Sequence, residues 1–404
     1  MNAIQSGGVS MRKALVLVLA CCVLFSGFIF AEPGITKDKV LIGTFQALSG
    51  PVAYIGTSMR KGMDAYFNWV NANGGIYGRK IELLVADDQF NPAKTVVEVK
   101  RMVEQDKVFS IVGGLGTPGC LAVMKYLNDG KVPFVYQGSG ALSLAVPPNR
   151  YIFSVQPNYY SVEGPIVAKY LSRTLGYKKI GVLYRAADDG KEELAGIQQW
   201  LVKNRLEKLL VKAIPVNPTA TSFDNEILEF MAAGVDVVFV SAYGQQPPNF
   251  MIQAKQYGLD AKIIMSYPNS DIQVIQLSQG AAEGAQAMAW VWLGEADSEV
   301  FQKYVTIYQQ TFPGEIPNAY AAAGFIAGEV FTEGLKRAGE NPTREGLVAA
   351  LESMNGWQGL ISPIISYKPF NIGDNTCRVG LQAMYAMEVV NGVWTRVSEW
   401  IDSK

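Results

Sequence analysis

Apolar and polar positions along this chain fall into two kinds of block. Short runs of apolar, β-branched residues predict buried strands, and longer stretches with apolar residues three and four apart predict amphipathic helices. Strands are predicted over 39–45, 79–87, 109–112 and 132–136, with helices over 57–72 and 92–105 and a helical segment over 120–126. Asn91 should cap the second of these helices, with Pro92 at its first position. A second series follows after 151–157: helix 161–175, strand 179–184, helix 191–203, strand 210–215, helix 223–233, strand 235–241, helix 248–257 and strand 262–266. Strands alternating with helices at this spacing predict an α/β fold, with mainly parallel sheets flanked by helices in two successive domains.

The last third breaks this rhythm. A strand over 285–292 precedes helices over 298–312, 319–338 and 343–354, and strands are predicted over 361–367, 381–390 and 393–399. Asn391-Gly392 between the last two is a strong hairpin signal. Long helices without fresh parallel strands imply that the chain crosses back to complete the first domain.

The stretch from Phe109 to Val123 is the leading candidate for chemistry. A short strand enters a glycine-rich turn over 113–119 and leaves as a helix, with Thr117 as the expected N-cap and Pro118 at its first position. The free N–H groups and positive dipole end of a helix attract a carboxylate or phosphate. This turn is therefore expected to hold the anionic end of a small solute. Gly114, Gly116 and Gly119 also spell a dinucleotide fingerprint, but they follow the third strand instead of the first, and Asp129 arrives too early to meet a ribose.

In open parallel sheets ligands bind beyond the carboxyl ends of the strands. The loops at Ser49-Gly50, Gly116-Thr117 and Gly138-Ser139-Gly140 all leave such ends, and can converge on one site. In the second series the corresponding ends carry Asp188-Asp189-Gly190, Ala242-Tyr243-Gly244 and Tyr267-Pro268-Asn269, a facing wall of more polar and aromatic character. Tyr54, Tyr159, Tyr160 and Tyr243 are candidates for that wall, whereas Trp290 and Trp292 read as packing residues.

Composition narrows the function. The chain has 404 residues, 49% hydrophobic and 18% charged, enough for two cores, and its net charge of −1 offers no footprint for nucleic acid. It contains no histidine, which removes the commonest general base and metal ligand. Neither a metal nor a cofactor is expected. A basic Arg12-Lys13 followed by an uncharged run over 14–31 describes a secretory signal, 1–31, with export to the periplasm. Lipid attachment at Cys21 is the alternative. Cys120 and Cys377 then remain, expected in different lobes and unpaired.

Leu48-Ser49-Gly50-Pro51, the run from Gly74 to Lys80 (GGIYGRK) and the stretch from Ile111 to Pro118 together resemble the type I periplasmic solute-binding proteins of ABC importers, the leucine/isoleucine/valine-binding group. The likeness runs from about Ile35 to the C-terminus. It implies a two-lobe fold with three crossing segments, near 153–156, 287–291 and 364–368, that closes around its ligand. The implied N-terminal lobe is 32–154 plus 287–364, and the C-terminal lobe 155–286 plus 365–404. Carried over onto this sequence, Gly116-Thr117 and Gly138-Ser139-Gly140 would hold the ligand's polar end, with Ser49 and Tyr54 nearby, and Tyr243 would cover it from the second lobe.

Amino-acid binders of this group place a second-lobe carboxylate against the ligand ammonium. Here the matching stretch reads Tyr267-Pro268-Asn269-Ser270, with no acid before Asp271. Either Asp189 takes that role, beside Asn269, or the ligand has no amino group. The expected function is a non-enzymatic, monomeric binder that takes a small carboxylate-bearing solute, such as a branched-chain or other hydrophobic amino acid, to a membrane permease. An acid lacking the amino group, a sensory relative of the same fold, and an exported enzyme using Asp87-Asp88 or Asp188-Asp189 are the competing readings.

Overall fold

In the computed structural model, which describes residues 32–291 and 298–403, the first strand is an interior strand of its sheet. β1 (Lys39–Gln46) is apolar over most of its length and buried nearly throughout, as a strand covered by helices on both faces must be. The chain continues through α1 (Ala53–Ala72), β2 (Lys80–Asp87), α2 (Pro92–Glu104), β3 (Ile111–Leu115), α3 (Thr117–Asp129), β4 (Phe134–Gly138) and β5 (Ile152–Phe153). These five strands form a parallel sheet in the order β2-β1-β3-β4-β5. Asn91 caps α2 as expected, its side chain accepting from the Ala93 N–H at 2.9 Å.

The second series begins with α4 (Gly164–Lys169), set between π-helical turns Tyr159–Glu163 and Tyr170–Thr174. It runs on through β6 (Ile180–Arg185), α5 (Asp188–Lys203), β7 (Leu210–Val216), α6 (Asp224–Ala233), β8 (Val237–Ser241), α7 (Gln246–Tyr257), β9 (Lys262–Met265), α8 (Ile272–Leu277) and β10 (Gln286–Ala289). The chain then returns to the first lobe, where α9 (Glu299–Thr311) and α10 (Ala319–Ala338) pack on α1 and α11 (Arg344–Glu352) packs on α10. It finishes in the second lobe with β11 (Ala383–Val390), β12 (Val393–Arg396) and β13 (Ile401–Asp402). The second sheet is ordered β12-β11-β10-β9-β8-β6-β7, parallel up to β10 and antiparallel beyond it. Asn391 and Gly392 both adopt positive φ, 54° and 74°, and join β11 to β12 as a tight hairpin.

Four expectations shift. β3 runs on through Gly113 and Gly114 to Leu115, because glycine there lets neighbours close in: a Cβ on Gly114 would stand 2.3 Å from the Phe45 ring. α3 accordingly starts at Thr117, and its N-cap is Gly116, at φ 96°, in place of Thr117. α1 starts at Ala53, four residues early, its first turn pressed on the loop so closely that a Gly56 Cβ would meet the Ala47 carbonyl oxygen at 2.1 Å. No strand forms over 361–367. The N–H groups of Leu360, Ile361 and Ser362 are taken by the buried Glu329 carboxylate on α10, and only a single Trp357–Ile365 bridge remains. Cys120 and Cys377 are both buried and free.

α1 and α10 meet backbone to backbone. A Cβ added to Gly62 would lie 1.8 Å from the Ala321 carbonyl oxygen, and one on Gly324 would lie 1.9 Å from that of Met59. This contact seats the N-terminus of α10 beside that of α1, at the rim of the cleft. Gly62→Ala should therefore force the helices apart and lower stability by about 1–3 kcal/mol, read as a reduced urea midpoint. An unchanged midpoint would refute so close a docking.

Candidate functional site

Beyond the carboxyl ends of both sheets the lobes enclose a cavity of about 680 Å³. On the first-lobe side it is lined by Leu115, Gly116, Thr117 and Gly138. Thr117 Oγ1 and Ser139 Oγ share a hydrogen bond of 2.7 Å, and Ser139 Oγ accepts from the Ala141 N–H at 3.1 Å, so the two glycine loops are tied into one surface. In the first turn of α3 Cys120 donates to the Gly116 carbonyl at 3.0 Å and Pro118 has no N–H, which leaves the N–H groups of Thr117 and Gly119 without a preceding helical carbonyl, and the capping residue carries no side chain. Phe90, at φ 58°, lies so close over Gly116 that a Cβ there would meet its ring at 2.3 Å.

Behind this surface β3 and β4 are both kinked. Their register skips Gly113 and Tyr136, which take φ of 72° and 62°. A positive φ is strained for tyrosine. The kink puts Tyr136 against Trp290, ring centroids 6.3 Å apart, where its hydroxyl accepts from Gln156 Nε2 at 2.8 Å. Gln156 Oε1 in turn accepts from Tyr267, and Tyr267 stacks on Tyr159 with centroids 5.6 Å apart. Gln156, Tyr159, Tyr267 and Trp290 all line the cavity. Trp290 thus serves as packing and as wall at once, and Trp292 lies outside the described residues.

Of the residues expected in the site, Gly116, Thr117, Gly138 and Tyr243 line the cavity. The others stand behind it or at its rim. Ser139 supports Thr117, while Ser49 donates to Asp87 at 2.7 Å. Gly140 packs against the Pro157 carbonyl and the Tyr267 hydroxyl, and Asn269 is fully buried, donating to the carbonyls of Ala242 and Ser266. Asp189 is buried in the first turn of α5, 3.6 Å from Arg185, whose guanidinium lies 3.9 Å over the Tyr243 ring. Its charge is matched inside the second lobe, and it is not part of the lining. No Asp, Glu, Lys or Arg lines the cavity among the described residues.

Asp271, the first acid after the Tyr267–Ser270 stretch, ties the two lobes together. It leaves the second lobe at the start of α8, where it accepts from the Gln273 N–H at 2.9 Å as an N-cap. The same carboxylate reaches across the cleft to the first lobe, accepting from the Tyr54 hydroxyl at 3.1 Å and from the Ala319 N–H, at the N-terminus of α10, at 3.1 Å. Asn318 caps α10 and also donates to Tyr54 at 2.8 Å. Tyr320 donates to the Pro268 carbonyl at 2.6 Å. On another part of the interface Glu192 accepts from the Leu142 N–H at 2.7 Å. The lobes are therefore clasped shut. Nothing in the sequence near Asp271 signals this, because its partners are more than forty residues away.

Beneath the aromatic wall Glu163 and Glu193 are buried together. Burial pushes both carboxyls up, Glu193 further through the charge of its neighbour. Glu163 accepts from the Tyr267 N–H at 2.8 Å, and Glu193 accepts from Ser241, so the pair fixes the strand ends that carry Tyr267 and Ala242. Glu329 is raised by burial to about 7.

With this geometry in place, comparison with known proteins identifies the family. The sequence profile described as "Periplasmic binding protein" matches residues 39–393. The chain belongs to the periplasmic binding protein family. Among curated proteins, a leucine-, isoleucine-, valine-, threonine- and alanine-binding protein of Pseudomonas aeruginosa is 23% identical over 258 residues, 64% of this chain and 68% of the relative. Among solved structures, a branched chain amino acid ABC transporter protein from Thermus thermophilus with bound valine has a TM-score of 0.81 at 19% identity, over 91% of this chain and 97% of that one. A fatty acid ABC transporter substrate-binding protein from Thermomonospora curvata has a TM-score of 0.78 at 22% identity, over 92% and 94%. These structures share the fold of this periplasmic binding protein. Among its described residues no helix is long and apolar enough to cross a membrane, and no cluster of potential metal ligands occurs.

Two predictions follow from the clasp and from the buried acids. Asp271→Asn removes the charge that faces α10, and a charge-assisted hydrogen bond of about 1.5 kcal/mol or more converts to at least tenfold weaker ligand binding, with X-ray scattering showing a more open free protein. Unaltered affinity and scattering would exclude the clasp. Because Glu163, Glu193 and Glu329 hold protons in the fold that they release when unfolded, the stability they supply is full below the ordinary carboxylate range. For Glu329 it is lost between about pH 4.5 and about 7. Urea midpoints should fall from pH 5 to pH 8, and less steeply in Glu329→Gln; equal slopes would count against a protonated Glu329.

Proposed function

We propose that this protein is the extracytoplasmic solute-binding component of an ABC importer, and that its solute is a carboxylic acid without an amino group. The observation that carries the ligand reading is the absence of any charged side chain from the described lining of the cavity. A buried ammonium with no counter-ion costs several kcal/mol. The two acids nearest the expected position are engaged elsewhere, Asp189 with Arg185 and Asp271 with α10. A carboxylate has donors without a cation: the N-terminus of α3 and the Thr117 hydroxyl.

The transport role rests on the family, the clasped two-lobe form, and the roles of its relatives in ABC transport. In this reading 1–31 is a cleaved export signal and lies outside the described residues. The protein acts as a monomer, performs no chemistry, and delivers its load to a membrane permease, with no nucleic acid involved. Hinge closure is the functional motion, and the lobes meet on the ligand as they meet here on Asp271.

Calorimetry of the ligand-stripped protein against leucine and its desamino analogue, 4-methylpentanoate, tests the ligand reading. The desamino acid should bind and the amino acid should not, and Thr117→Ala should weaken the acid about tenfold while leaving the melting temperature within a degree or two. Tighter binding of leucine, or equal binding of 4-methylpentanamide, would reject it.

A further inference from the structure

The cavity is much larger than a five- or six-carbon acid needs. Allowing about 30 Å³ per water-sized group, its 680 Å³ has room for on the order of twenty heavy atoms. It is also long. In the second lobe its lining passes from Tyr243, after β8, through Tyr267 after β9, Trp290 after β10 and Met387 on β11, to Trp394 on β12. These are five neighbouring strands of one sheet, so the walls extend across four strand spacings, roughly 19 Å. Of the head-group loops, Gly140 lies against Tyr267, which follows β9, and the hairpin β11–β12 lies at the far side, three strand spacings or roughly 14 Å away.

The far branch is apolar in effect as well as in composition. Three aromatic residues could have offered it a polar atom, and each is bonded to a backbone carbonyl: Trp394 Nε1 to Asp271 at 2.9 Å, Tyr320 to Pro268 at 2.6 Å, and Tyr385 to Val291. What remains is hydrocarbon from Val291, Phe301 and Met387. The branch ends at an open mouth, where Ile316 is 77% and Val393 61% exposed beside Gln276.

We infer that this branch is a tail subsite, and that the ligand is a monocarboxylic acid bearing an extended hydrocarbon chain. The inference rests on the carboxylate reading above and adds to it where the rest of the molecule goes. An extended chain advances roughly 1.2 Å per bond, a third of the residue repeat, so about twelve bonds reach from the head loops to the hairpin. Because the mouth is open, a longer chain emerges into solvent and is not excluded.

A chain-length series of straight-chain acids, hexanoate, decanoate and tetradecanoate, each kept below its aggregation limit, reads this directly by calorimetry. Affinity should rise roughly threefold to fourfold for each methylene buried and level off once the chain reaches the mouth. Met387→Trp should fill the branch and weaken tetradecanoate at least tenfold, leaving hexanoate within twofold. Thr395→Trp at the exposed rim gives the same discrimination if the first variant fails to fold. Tetradecanoate binding no more tightly than hexanoate would overturn the tail subsite and leave the carboxylate reading standing. Failure of every acid, hexanoate included, would remove both. Should Met387→Trp bind all acids normally yet lose permease-dependent uptake in reconstituted vesicles, the groove would belong to the permease and the inference would fall.

Discussion

One carboxylate, Asp271, decides how the two lobes stand to each other and what the cleft between them can accept. It caps the short helix that follows it and, across the cleft, meets the positive end of α10 and the hydroxyl of Tyr54. Burial alone would push its carboxyl up, and the donors that converge on it work against that shift. An acid in this position could have served a ligand ammonium. Held by the first lobe instead, it turns a recognition group into a closure group. The chemistry of the ligand and the mechanics of closure are for that reason not independent here: a solute that competed for Asp271 would loosen the shut form that is meant to retain it.

The remaining walls are made rigid in advance by polar groups that bond to each other behind the aromatic surface. Tyr136, Gln156, Tyr267 and Tyr159 form one hydrogen-bonded and stacked series, and the Glu163–Glu193 pair anchors the strand ends beneath it. The strained φ of Tyr136 is tolerable because the partner kink falls on Gly113, where a Cβ would strike Met63 at 2.6 Å. At the hinge, Arg378 is fully buried yet satisfied, donating to the carbonyls of Asn149, Arg150 and Lys368 and to Glu352, with its guanidinium 4.5 Å over the Phe153 ring. A buried cation so placed ties the segment after α11 to the connection between β4 and β5.

What the sequence disclosed and what it hid divide along the range of the interactions. Alternation of strand and helix, the Asn91 cap and the Asn391-Gly392 hairpin depend on neighbours in the chain, and all were legible. So was the glycine turn at Gly116-Thr117 that joins a strand to a helix. β3 was read short because glycine counts as a turn residue, while here Gly113 and Gly114 make room for Met63 and Phe45. The segment at 361–367 has strand-like residues, yet its N–H groups answer to Glu329, thirty residues back. Phe90, Asp271 and the start of α10 entered the site through tertiary contacts that no local pattern records.

Retention and release then become a matter of balance between the clasp and the cavity. Two hydrogen bonds to Asp271 and one from Tyr320 to Pro268 cross the cleft here, and each contributes only about 0.5–3 kcal/mol net. That is enough to hold a loaded cleft shut, and too little to trap it. A mainly apolar cavity supplies the rest only when it is filled, because an empty one gains nothing from excluding water that it still contains. On the proposed reading, closure is coupled to occupancy through the hydrocarbon walls more than through the polar head. Opening has to break contacts at two separate places, around Tyr54, Asn318 and Asp271 and between Glu192 and Leu142.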